Sequence, residues 1–73
     1  MKKAIGDKKM KKAIGDKIKE KRIQMKMTQK QLAEKLEILP ATISAWELGK
    51  NIPKLPMAIK IKKEINIDIL NFK

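Results

Sequence analysis

Cysteine, histidine and tyrosine are absent from this chain of 73 residues, and its aromatic content is one Trp and one Phe. Without cysteine there is no disulfide, thiolate-bound zinc, redox motif or thiol nucleophile, and without histidine no imidazole base or metal ligand. Zinc fingers and Cys- or His-dependent catalysis are therefore excluded. The one serine, Ser44, has no histidine to activate it, and Gly6, Gly15 and Gly49 are too far apart to form a phosphate-cradling loop. So short a chain also exposes much of its surface even when folded and cannot wall off a deep, dry pocket. The expectation is a single small domain that is not an enzyme and holds no metal or cofactor.

Long apolar runs are missing too. Ala4 and Ile5 are followed at once by Gly6, Asp7, Lys8 and Lys9, which leaves no apolar core for a signal peptide. Nothing approaches the ~18 apolar residues of a membrane span, so the cytoplasm is the expected location. Acidic residues are scarce as well: 19 basic against 8 acidic side chains leave a net charge of +11. That excess suits a polyanion, either nucleic acid or an anionic membrane surface, and says nothing about fold.

Residues 1–8 and 10–17 are identical copies of the segment M-K-K-A-I-G-D-K. Two copies do not make a solenoid. The duplication reads as a basic arm over residues 1–13 ahead of a domain over 14–73, or as a tandem copy preserving an alternative start at Met10. Seven lysines against two aspartates give residues 1–17 a charge of +5, while twelve basic against six acidic residues give 18–73 a charge of +6. The domain is basic without the arm. Lys2, Lys3, Lys8, Lys9, Lys11 and Lys12 suit phosphate neutralisation, or equally a solvated tail or added helical turn.

From Ile14 onward the pattern is helical. Ile14, Ile18 and Met25, with Arg22 and Ile23 beside them, suit one face of a first helix ending near Lys26. Thr28 and Gln31 form a capping box that opens a second helix, with Met27 and Leu32 placed as a hydrophobic staple. Leu32, Ala33 and Leu36 supply its inner face, and Glu37, Ile38 and Leu39 make a three-residue connection. Pro40 suits the first turn of a third helix, where its missing N–H has no helical partner; Ile43 and Trp46 face inward, and Gly49 stops it. Asn51, Pro53 and Lys54 read as a loop. Pro56 then lies in the opening turn of a fourth helix that carries Leu55, Ala58, Ile59, Ile61 and Ile65. Asn66 can end it, and Asp68 can cap a last turn with Ile67 and Phe72 at staple positions. Met25, Met27 and Met57 are expected as core filler. The alternation of Ile65, Ile67 and Ile69 is one short run among capped helices, weak evidence for a strand.

Two short helices joined by three residues and closed by Gly describe a helix-turn-helix unit. Residues Thr28 to Gly49, T-Q-K-Q-L-A-E-K-L-E-I-L-P-A-T-I-S-A-W-E-L-G, resemble the Cro/C1-type (XRE-type) helix-turn-helix family of bacterial and phage transcriptional regulators. The likeness extends from about Ile14 to Phe72. It implies an all-α fold, a compact four- to five-helix bundle of the lambda-repressor-like type, and a sequence-specific repressor that lays its third helix in the major groove of double-stranded DNA.

Residue by residue, the resemblance places Thr28, Gln29 and Lys30 against the phosphate backbone, Gln29 as the family's phosphate-contacting glutamine at a helix end that favours anions. Pro40, Ala41 and Ala45 hold the positions that face base edges, with Thr42 and Ser44 the polar residues left on that helix. Relatives commonly carry hydrogen-bonding side chains where Pro and Ala stand here; these two can touch only apolar features such as thymine methyls. Weak direct readout is therefore expected, with affinity drawn from phosphates, including contacts by Lys50, Asn51 and Lys54, and from DNA shape. Glu37 replaces a frequent Gly and Leu39 a Ser or Thr cap, each at a cost of ~1 kcal/mol. Arg22 and Glu47 match a buried salt bridge of relatives, whose alternative is two solvated charges. Trp46 is expected in the core.

Such domains act as dimers on two half-sites. With only Lys73 after Phe72, no separate ligand-sensing domain is expected, and a homodimer would use the apolar end at Ile67, Ile69, Leu70 and Phe72. Two alternatives stand beside the repressor. One is an antitoxin or restriction-control protein of the same fold. The other is a basic helical protein that lies on a membrane surface or a partner, although Gly6, Gly15 and lysines spread over several faces weaken the apolar moment such binding needs.

Overall fold

A computed structural model describes residues 2–69, with side chains from Met10 onward. Four α-helices follow one another: α1 Lys2–Gln24, α2 Gln29–Leu36, α3 Pro40–Glu47 and α4 Leu55–Ile65. Among the described residues there is no strand. α3 packs against both α1 and α2, and α4 closes over α2.

Local chemistry sets each boundary. Thr28 Oγ1 accepts a hydrogen bond from the Gln31 backbone N–H at 3.0 Å, and Gln31 Oε1 accepts one from the Thr28 N–H at 2.8 Å, which satisfies two orphan donors of α2. α3 begins at Pro40 behind Leu39, which makes no side-chain cap. All four helices are followed by a left-handed residue: Lys26, Glu37, Gly49 and Asn66 have φ between 58° and 77°. After α1, α2 and α3 the next N–H reaches back to close the helix, as in Met27 N–H to Arg22 O at 3.0 Å, Ile38 N–H to Ala33 O at 2.9 Å and Lys50 N–H to Ala45 O at 3.0 Å. Only Gly49 takes this conformation without a Cβ penalty. Glu37 therefore carries the ~1 kcal/mol strain of a left-handed residue inside the turn. Its carboxylate is held by Lys60 Nζ at 2.9 Å, which ties the turn to α4.

Ile14, Ile18, Leu32, Ala33, Leu36, Ile43, Trp46, Ile61, Ile65 and Ile67 form one core, with Met27, Ile38, Met57 and Ile69 packed on its edge. α1 begins at Lys2 because nothing between the two copies of the duplicated segment breaks or caps a helix, so the residues ahead of Ile14 take the helical alternative given for them. One expectation changes here. Met25 lies beyond the end of α1 and is exposed, not core. On α4, Ala58, Ile61 and Ile65 make the buried stripe, while Leu55 and Ile59 are turned to solvent.

At the chain end, Ile67 is 7 % exposed and belongs to this chain's own core, which leaves little of its side chain on the surface. The alternating isoleucines 65 and 67 fill the core around the left-handed bend at Asn66, which explains the period without a strand. Asp68 pairs with Lys62 at 3.1 Å. Ile69 is half-buried, and Leu70 and Phe72, with any fifth helix, lie outside the described residues.

The two copies of the duplicated segment are not equivalent. Nine residues at 3.6 per turn rotate corresponding positions by half a turn and advance them ~14 Å along the axis. The second copy meets α3. A Cβ on Gly15 would overlap the Trp46 carbonyl oxygen and come within 3.1 Å of Glu47 Cα, and one on Gly49 would sit 3.3 Å from Lys12 Cα. Backbone thus meets backbone where α1 crosses the end of α3.

Candidate nucleic-acid interface

A buried ion-pair network anchors the helix-turn-helix pair. Arg22 Nε donates to Glu47 Oε2 at 2.7 Å and Nη2 to Glu47 Oε1 at 3.1 Å, a two-pronged contact between α1 and the last turn of α3. The Arg22 and Glu47 side chains are 13 % and 5 % exposed. Arg22 Nη1 donates to Met27 O at 2.9 Å, and Gln29 Nε2 donates to Glu47 Oε1 at 3.1 Å. One carboxylate therefore fixes the end of α1, the start of α2 and the end of α3. No buried side-chain polar atom among the described residues lacks a partner.

The hydrogen bond from Glu47 raises the Arg22 pKa further above its ordinary value, with burial opposing and charge attraction adding. A raised cationic pKa contributes stability that is full below the ordinary arginine value and is lost only as pH rises through the folded one. The network is thus constant across neutral pH. Glu37 is the opposite case. Its pKa is lowered, first by the Lys60 hydrogen bond and then by that charge, so its contribution is present above the ordinary carboxylate range and lost as pH falls through the lowered value; being exposed, it is screened by salt.

α3 has two faces. Ile43, Trp46 and Glu47 point inward. Pro40 and Ala41 are exposed, Ser44 and Ala45 are half-buried on the outer side, and Leu48, four residues after Ser44, is exposed. Thr42 is half-buried and lines a cleft of about 320 Å³ with Ile38, Trp46, Asn51, Ile52 and Lys54.

Thr28 and Lys30 are exposed at the start of α2, and Lys50, Asn51 and Lys54 are exposed on the loop after α3. Among the described residues, Lys30, Lys50 and Lys54 form no ion pair, in contrast to Lys12, Lys35, Lys60 and Lys62, which engage Asp16, Glu64, Glu37 and Asp68. Their charge is left for another partner. Gln29 is half-buried, with one amide N–H given to Glu47 and the second left over, so the amide is oriented before any ligand arrives. Leu39 stands at the N-cap of α3 without a side-chain cap hydrogen bond. The structure leaves it 71 % exposed, the most exposed large apolar side chain among the described residues; its one sequence signal was an apolar residue in a capping position.

A family model described as helix-turn-helix matches residues 18–72. The chain belongs to the Cro/C1-type helix-turn-helix family. Members of this XRE-type family are DNA-binding regulators. The match begins at Ile18, so both copies of the duplicated segment, residues 1–8 and 10–17, stand ahead of it. No curated protein and no solved structure matches the chain. Among the described residues no helix is long and apolar enough to cross a membrane.

Proposed function

We propose that this Cro/C1-type protein is a sequence-specific transcriptional repressor that lays the outer face of α3 in the major groove of duplex DNA. The observation that carries this reading is the division of α3 into a core-packed inner face and an outer face left open at Pro40 and Ala41. Thr28, the remaining Gln29 N–H and Lys30 then grip one stretch of phosphate backbone, and Lys50, Asn51 and Lys54 the next. Pro40, Ala41 and Ala45 lack side-chain hydrogen bonds, so phosphate contacts and DNA shape supply most of the affinity.

The protein acts as a homodimer on two half-sites, joined through the apolar segment 69–72 after the last core residue, Ile67. Continuity of α1 through residue 13 supports a rigid helical extension, so lysines of the duplicated segment reach phosphates only if the helix itself lies along the duplex. Selection of binding sites from random duplex DNA tests the reading. Enrichment of two-fold symmetric sites with half-sites about one helical turn apart is the expected outcome, and a recovered pool indistinguishable from the input overturns it.

A further inference from the structure

We propose that the cleft between α3 and α4 is a site for a small amphipathic carboxylate, an acid anion with a medium-sized apolar body, whose binding releases the protein from duplex DNA. The release rests on duplex DNA being the partner; the site itself does not. α3 and α4 both pack on α2, and the cleft of about 320 Å³ opens where the α2–α3 turn, α3, the loop after it and the first turn of α4 meet. That volume lies at the lower end of the range for small-molecule sites, about 300–1,000 Å³. Ile38, Trp46, Ile52, Pro53 and Met57 give the cleft apolar walls. Trp46 belongs to the core, and Ile38 and Met57 pack on its edge, so the fold sets these walls before any ligand arrives.

The polar residues of the cleft select the charge of its ligand. Thr42, Asn51 and Lys54 complete the lining, and no acidic residue takes part in it. Lys54 is exposed and forms no ion pair among the described residues. There, too, no hydrogen bond takes up the Thr42 hydroxyl or the Asn51 side-chain amide. A cation is repelled by Lys54 and a neutral molecule gains little from it, whereas a carboxylate pairs with the ammonium while its apolar body covers Ile52 and Met57. A phosphate of the duplex can take Lys54 and Asn51 but has no apolar part to fill the walls. The carboxylate and the duplex therefore compete for the same two loop residues, and each weakens the other by the same factor.

Sodium octanoate is the probe, with octylammonium chloride as the same chain of opposite charge and sodium acetate as the same charge without the chain. Trp46, the one tryptophan, reports occupancy through its fluorescence. Octanoate should change that emission saturably in the full chain, and the two controls should not. Lys54→Gln and Ile52→Asn, both at exposed positions, should keep the native urea midpoint and each weaken octanoate binding at least about fivefold. With octanoate tenfold above its own Kd, the native chain should bind a duplex recovered by selection about tenfold more weakly than in sodium chloride of equal ionic strength, and Ile52→Asn should be released far less. Unchanged Trp46 emission, an equal response to octylammonium, or native octanoate affinity in either variant overturns the site. Octanoate binding that leaves duplex affinity intact overturns the release. Failure to recover any duplex overturns the DNA reading and the release with it, and the fluorescence titration, made without DNA, still decides the cleft.

Discussion

Gly15→Ala should lower unfolding stability by at least ~3 kcal/mol, the upper range for forcing one extra carbon into a packed contact. The added Cβ meets the Trp46 carbonyl and the Glu47 Cα, both backbone, so no side chain can rotate out of the way. α1 would have to lift from α3, which loosens Ile14 and Ile18 from the core. Against this, alanine gains at most ~1 kcal/mol of helix propensity over glycine. The urea midpoint of Gly15→Ala against the native chain decides the matter. An unshifted midpoint would mean that α1 does not dock on α3 at Gly15.

Glu47→Ala is the second large effect, with an expected loss of ~3 kcal/mol because the nearly buried Arg22 guanidinium keeps its charge and loses its partner. A urea titration with an unshifted midpoint would contradict the network. The native-minus-variant difference should hold across neutral pH, since Arg22 stays protonated there. Binding should weaken as well, because Gln29 loses the acceptor that orients its amide toward the backbone of a duplex.

The helix-turn-helix unit was legible because its signals are local: a capping box at Thr28 and Gln31, Pro40 at a first helical position and Gly49 at a stop each act within one turn of chain. What was not legible depended on partners distant in sequence. The sequence left tail and helix equally open ahead of Ile14, and α1 runs on from Lys2 because a helix continues wherever nothing breaks it. The exposure of Leu55 and Ile59 was not legible because an apolar residue at helical spacing shows a face but not whether another element covers it. The burial of Ile67 depends on the bend at Asn66, which returns the chain to the core. The tight fit at Gly15 was not legible in a repeated octapeptide, because the Trp46 backbone that approaches it is distant in sequence. Leu39 could be read as a missing cap, but its exposure beside Pro40 and Ala41 required the turn to be built.

The central claim is that the open face of α3, and not positive charge alone, engages the duplex. Ala41→Glu tests it most directly. An acidic residue in the first turn of a helix favours the helix, so the fold should survive, and Ile59→Glu makes the same charge change at the exposed outer face of α4. Equilibrium binding of both variants to a duplex recovered by selection should show Ala41→Glu at least ~100-fold weaker than the native chain, since a carboxylate is forced against the acidic groove, with Ile59→Glu nearly unchanged. Equal weakening of the two variants, or native affinity in Ala41→Glu, would contradict the account.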